Sequence, residues 1–133
     1  MRMEKKQVKI GIIGYGFVGK AVEFGFSRNT VIKKIDPKLN TSIRDLESFK
    51  PEVCFLCLPT PMSKSGQDST IIESVVNEIN QIKINSLMVL KSTILPSAIK
   101  KISNSSKNPL VYNPEFLREK HYEYDFENPE IKA

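Results

Sequence analysis

One histidine and two cysteines are all the nitrogen and sulfur ligands that this 133-residue chain offers toward a zinc centre, and two cysteines make no disulfide framework. With His121 alone and no second cysteine pair, Cys54 and Cys57 lack the partners of a zinc site, despite their C-x-x-C spelling. Their run, Val53-Cys54-Phe55-Leu56-Cys57-Leu58, is apolar, short and closed by Pro59, so it reads as a buried strand. Positions three apart on a strand point to opposite faces, so the thiols diverge and act as small core hydrophobes. Long apolar runs are also lacking: none nears the ~18 residues that span a bilayer. The charged opening Met1-Arg2-Met3-Glu4-Lys5-Lys6 leads into no uninterrupted apolar stretch with a small-residue cleavage site. A signal peptide is therefore not expected, and a cytoplasmic location is.

Acidic residues are the minority charge, 15 against 20 Lys and Arg, for a net charge of +5 and a pI near 9.2. A basic balance invites nucleic acid, but these lysines are scattered rather than striped. The excess suits an anionic small cofactor, and neither nucleic acid nor membrane is expected as a partner. Hydrophobic residues at 40% and charged residues at 26% exclude disorder as the main state. The length fits a single domain over 1–133 with a proper core.

Strand and helix patterns alternate along the chain. Val8 to Ile13 is apolar, β-branched and bounded by a glycine-rich turn, which predicts a strand. Phe17 to Phe26 follows with helical spacing. Val31 to Ile35 reads as a second strand ending at Asp36-Pro37, and Ser42 to Phe49 as a short helix. Val53 to Leu58 is the third strand, and 59–68 a loop rich in Pro, Ser and Gly. Thr70-Ile71-Ile72-Glu73 has capping-box spelling and opens a helix whose apolar face is Ile71, Ile72, Val75, Val76 and Ile79. Leu87 to Leu90 is a fourth strand, Pro96 starts a helix carrying Ala98, Ile99 and Ile102, and Leu110 to Tyr112 is a fifth strand. This alternation predicts a Rossmann-like, doubly wound α/β fold with a parallel sheet of five to six strands in the order 3-2-1-4-5. A sixth strand at Glu130 to Ala133 is expected to be cut short or absent.

Gly14-Tyr15-Gly16-Phe17-Val18-Gly19 matches G-x-G-x-x-G between a predicted strand and a predicted helix, which is the context that gives the motif meaning. Gly14 makes the tight turn, Gly16 leaves room for a pyrophosphate, and Gly19 lets helix and strand pack closely. The positive end of the helix dipole then faces the phosphates. Asp36, at the end of the second strand, is placed to accept hydrogen bonds from a ribose. Its charge repels a 2′-phosphate, which favours NAD over NADP, although Lys33, Lys34 and Lys38 temper that preference.

Further segments follow the later strands: Leu58-Pro59-Thr60-Pro61, Lys91-Ser92-Thr93-Ile94-Leu95-Pro96, Asn113-Pro114-Glu115-Phe116-Leu117-Arg118-Glu119, and Asp125 with Pro129. With the glycine fingerprint, they make the chain from Val8 to about Pro129 resemble the N-terminal NAD-binding domain of the UDP-glucose/GDP-mannose dehydrogenase family. The resemblance implies a two-step oxidation of the C6 alcohol of a nucleotide sugar to a carboxylate, with reduction of two NAD. It implies Glu115 as the base that activates water for thioester hydrolysis, with Thr93 helping to hold that water. It implies cofactor contacts from Phe17, Val18, Pro59, Thr60, Ser92, Thr93 and Glu119, the last at the nicotinamide end. The backbone of Phe116 and Leu117 would line the sugar pocket.

There are departures from the family pattern. Lys120 stands where the family has glycine after Arg-Glu, and the segment from Asp36 to Val53 is shorter than the family's. The family's nucleophilic cysteine, catalytic lysine and asparagine find no counterpart before Ala133, so the C-terminal catalytic and sugar-nucleotide domain is expected to be missing. Cys54 and Cys57 cannot replace that nucleophile if both lie inside a core strand. A sugar nucleotide is then a substrate only with a C-terminal partner chain, and an exposed last strand edge suggests a homodimer. Two other readings stay open: a stand-alone NAD-binding module without catalysis, and a basic nucleic-acid binder.

Overall fold

The computed structural model describes residues 7–26, 28–63 and 66–114. The predicted alternation is present. Strand β1 (Val8–Ile13) leads into helix α1 (Phe17–Gly25) and strand β2 (Thr30–Ile35). A 3-10 turn (Pro37–Leu39) and a short helix α2 (Asp45–Phe49) precede β3 (Val53–Leu56). A small hairpin, β4 (Met62–Ser63) and β5 (Gly66–Gln67), comes before helix α3 (Thr70–Gln81). Strand β6 (Leu87–Leu90), helix α4 (Pro96–Ser105) and strand β7 (Leu110–Tyr112) complete the described chain. No helix among the described residues is long and apolar enough to cross a membrane.

The main sheet has five parallel strands in the order β2-β1-β3-β6-β7. The doubly wound α/β fold is as expected. The strand order departs from 3-2-1-4-5: the third strand lies between the first and the fourth, not outside the second. The reason is local. An outer strand beside β2 would have to form between Asp36 and Val53, and that short segment makes only the 3-10 turn and α2. The chain then crosses over β1, and β3 becomes a central strand. Composition agrees with both positions. Val-Cys-Phe-Leu is apolar on both faces and suits the middle of a parallel sheet. Thr-Val-Ile-Lys-Lys-Ile carries two lysines and suits an edge.

Each sheet face has its own core. Leu46 of α2, Ile72, Val76 and Ile79 of α3 and Ile102 of α4 pack on Cys54, Leu56, Met88 and Leu90. Val22 of α1 packs on the opposite face with Ile10, Ile12, Phe55 and Val89. The two thiols diverge as the strand period requires, Cys54 to the first cluster and Cys57 toward the second. Cys57 is not inside a strand, however. β3 ends at Leu56, and Cys57 is only partly buried.

Two local details also differ from expectation. The loop over 59–68 contains the β4–β5 hairpin, whose strands of two residues are too short to leave a period. The cap of α3 sits one residue earlier than its capping-box spelling. Ser69 is the N-cap, its hydroxyl donating to Glu73 at 2.7 Å, while the N–H of Thr70 donates to Asp68. The Thr70 hydroxyl is itself turned back to donate to Asp68 at 2.6 Å, so it caps no later N–H and the helix begins at Thr70.

Candidate functional site: a cleft at the switch point of the sheet

The chain leaves β1 toward β2 on one side and reaches β3 on the other, so the loops after β1 and β3 part and open a crevice between them. The first loop is the glycine turn. Gly14 adopts φ +94°, and a Cβ there would lie 2.3 Å from the carbonyl oxygen of Cys57. Its N–H donates to Ile35 O at 2.8 Å, tying the turn to the end of β2. A Cβ on Gly19 would lie 2.3 Å from the carbonyl oxygen of Gly14, so α1 can rest against the turn only without a side chain at this position. Gly16 is different: a Cβ there meets no described residue beyond its chain neighbours within 4 Å. It is the N-cap of α1, offers no side chain to cap it, and no acidic residue lies in the first turn. The helix therefore presents its positive end to open space.

Asp36 closes the other side. Its carboxylate accepts from the N–H of Tyr15 at 2.8 Å and from the N–H of Lys38 at 2.9 Å. Slight burial raises its pKa, but these two donors and the Lys38 charge outweigh that and hold it below the ordinary 3.8. The carboxylate is therefore ionised throughout the neutral and mildly acid range. Behind it, Thr41 accepts from Asp36 N–H at 2.9 Å and donates to Lys34 O at 2.8 Å, fixing where β2 ends. Tyr15 braces the turn from outside. Its hydroxyl donates to Glu23, and the ammonium of Lys34 lies 4.9 Å from its ring centre and 3.1 Å from the Glu23 carboxylate.

Gly14, Gly16, Phe17, Val18, Asp36, Pro59 and Ser92 surround one cleft of about 410 Å³, with Gly19 beneath its turn. Lys38, Cys57, Leu58 and Lys91 complete the lining. A second slot of about 430 Å³ adjoins it and shares Gly14, Asp36, Leu58 and Pro59. Ser92 donates to Leu58 O at 2.6 Å and accepts from Leu58 N–H at 3.1 Å, so its proton holds the two loops together. Thr60 and Thr93 do not line either space. They meet each other, the Thr60 hydroxyl donating to Thr93 O at 3.1 Å. Gln67 of the hairpin donates to the same carbonyl at 2.7 Å and accepts from Leu95 N–H at 3.0 Å, clamping this loop. Glu115, Phe116, Leu117, Glu119 and Lys120 lie outside the described residues.

Thr41, Gln67 and Lys91 are contributions that sequence reasoning passed over. Gln67 acts across the fold, and Thr41 acts close by through a single hydroxyl in no recognisable motif. Lys91 stood inside a quoted motif. It is 5% exposed and donates to Asn113 at 3.1 Å, joining the loops after β6 and β7. Its place at the end of an apolar strand, on the face opposite Leu90, was the available clue.

The cleft wall makes one reactivity difference testable. Burial pushes the Cys54 thiol up to about 11, outweighing the Ser86 hydroxyl, which pulls the other way. Iodoacetamide applied to the native chain is expected to label Cys57 and spare Cys54. Peptide mass spectrometry reads both.

One family and three individual proteins resemble this chain. The model of the UDP-glucose/GDP-mannose dehydrogenase family, NAD binding domain, matches residues 28–131. That match begins after the glycine turn, so the turn stands on its own geometry. An uncharacterized protein of Methanocaldococcus jannaschii is 34% identical over 103 residues, which cover 69% of this chain and 12% of that protein. A UDP-D-ManNAc dehydrogenase from Pyrococcus horikoshii superposes with a TM-score of 0.69 at 17% identity, over 89% of this chain and 38% of that one. A flavo di-iron protein from Thermotoga maritima shares the fold at a TM-score of 0.50 and 11% identity, over 93% of this chain and 35% of that one. The chain thus spans a minor part of the relatives it matches. Over most of its own length it belongs to the UDP-glucose/GDP-mannose dehydrogenase family, as an NAD-binding domain of that family.

Proposed function

We propose that this chain binds NAD across the cleft and serves as the cofactor domain of a nucleotide-sugar 6-dehydrogenase. The observation that carries the reading is Gly16. Gly14 and Gly19 are demanded by the packing of the chain itself, whereas a Cβ at Gly16 would meet no described residue beyond its two chain neighbours within 4 Å. Its bareness is explained by a ligand. The pyrophosphate sits at the uncapped start of α1, near Phe17 and Val18. Asp36 accepts from the adenosine ribose with the oxygen lone pairs that Tyr15 and Lys38 leave open. The rest of the dinucleotide runs toward Pro59, Ser92 and the paired Thr60 and Thr93. When bound, NAD supplies a hydride acceptor for oxidation of an alcohol.

The remaining assignments rest on family likeness. Glu115 is proposed as the base toward water, Thr93 as its hydrogen-bonding neighbour, Glu119 as a contact of the nicotinamide end, and Phe116 and Leu117 as the border of the sugar site. A UDP-sugar is the favoured substrate class, since the Pyrococcus horikoshii neighbour is a UDP-D-ManNAc dehydrogenase. Turnover by this chain is proposed in combination with the parts of such enzymes that lie beyond the matched region.

Calorimetric titration of NAD into the full chain tests the reading. Saturable binding is expected, and Asp36→Ala should weaken it at least about tenfold, the effect of losing charge-assisted hydrogen bonds. The affinity should hold steady from pH 8 to pH 5. The folded Asp36 carboxyl lies below its ordinary value, so its contribution is complete above that value and fades only as pH falls through the lower one. Undiminished binding by Asp36→Ala would remove Asp36 from the site.

A further inference from the structure

We propose that Glu78 is the residue that recognises the base of the dinucleotide, by accepting a hydrogen bond from the 6-amino group of adenine. The inference rests on the dinucleotide reading and adds to it the choice of base.

Three observations lead to Glu78. The first is the course of the slot beside the cleft. At one end it shares Gly14 and Asp36 with the cleft, where pyrophosphate and ribose lie. At the other it shares Ile43 and Glu78 with a shallow surface groove that carries Arg44, Glu47 and Gln81. A purine attached to a ribose at Asp36 therefore points its far edge toward Glu78. The second is the lining. Ile13, Ile35, Pro37, Ile43, Leu58 and Pro59 give apolar walls for the flat faces of a base. Ile71 and Val75 join them from α3 and stand four residues apart, with Glu78 three further on, so one stripe of the helix faces the slot. Ile71 is 40% exposed, an apolar side chain left open where a base would cover it.

The third is electrostatic. Every other carboxylate among the described residues is engaged. Glu23 pairs with Lys34, and Asp36 accepts from Tyr15 and Lys38. Asp45 accepts from Ser42, Glu47 from Lys83, Glu52 from Lys9, Asp68 from Thr70, and Glu73 from Ser69. Glu78 alone has neither a hydrogen bond nor an ion pair within this set, in a chain rich in lysine. The other polar groups of the slot discriminate less. The Thr41 hydroxyl is taken by the backbone of Lys34 and Asp36. The Ser42 hydroxyl can both donate and accept, so it suits either an amino group or a carbonyl. A carboxylate only accepts. It favours the amino group of adenine and repels the carbonyl that hypoxanthine carries at the same position.

The test compares NAD with nicotinamide hypoxanthine dinucleotide, by calorimetry on the full chain. The native chain should bind NAD about tenfold more tightly. Glu78→Ala should bring the ratio close to one by weakening NAD. Glu78→Gln should also bring it close to one, because an amide serves amino group and carbonyl alike. Circular dichroism should show both variants folded, as expected for an exposed helical position. Equal binding of the two dinucleotides by the native chain, or a tenfold preference that persists in Glu78→Ala, would overturn the proposal while leaving the dinucleotide site intact. Failure of the native chain to bind NAD at all would overturn both.

Discussion

Gly16→Val should abolish measurable NAD binding, a loss of a hundredfold or more, and still leave a chain that melts within about 4 °C of the native one. The two halves of this result have separate causes. A Cβ at Gly16 meets no described atom beyond its chain neighbours within 4 Å, so no packed side chain among the described residues needs to give way to it. The same methyl groups project into the space before the uncapped start of α1, where the diphosphate would lie closest to the backbone. A binding titration paired with a thermal melt reads both halves. A variant that melts far below the native chain would show that Gly16 is kept for folding and not for a ligand.

Gly19→Ala should do the opposite. The added Cβ would lie 2.3 Å from the carbonyl oxygen of Gly14, and also 3.2 Å from Ile12 Cγ2. A backbone oxygen at the rim of the sheet cannot swing aside as a flexible side chain could. Helix α1 would have to lift from β1, parting Val22 from Ile10 and Ile12. Urea unfolding should show a loss of about 3 kcal/mol or more, the upper end for overpacked sites. Unchanged stability would contradict the close helix–strand packing on which the turn's shape depends. Read side by side, the two variants separate glycine kept for a ligand from glycine kept for the fold.

Much of this was legible in the sequence because it is written at short range. The period of Ile72, Val76 and Ile79 and the apolar runs of β1, β3 and β6 each fit one kind of element, and their alternation fits one class of fold. The glycine spacing and Asp36 were legible for the same reason: each has a chemical requirement at a fixed distance from a strand end. The strand order was not, because adjacency depends on what the 37–52 segment fails to form. A pair of lysines in β2 was the clue that this strand takes an edge. The hairpin at Met62–Ser63 and Gly66–Gln67 is too short for periodicity to register. Cys57 looked like a core residue because the apolar run continues past the true end of β3. Gln67 acts on backbone atoms 26 and 28 residues away, while Thr41 acts on the nearby backbone of Lys34 and Asp36 through a lone hydroxyl, and neither has a pattern that announces it. Glu78 was hidden by its helix, where an exposed glutamate is the commonest of residues. Only the slot beside it, and the engagement of the other acids, set it apart.

The direct trial of the whole account is residue-by-residue: amide chemical shifts of the labelled full chain recorded with and without NAD. The account predicts that the amides of Gly14, Tyr15, Gly16, Phe17, Val18 and Asp36 move together and saturably, while those of Lys83, Ile84 and Asn85 at the opposite end of the sheet stay still. Shifts gathered at that opposite end, or none anywhere at saturating NAD, would contradict it.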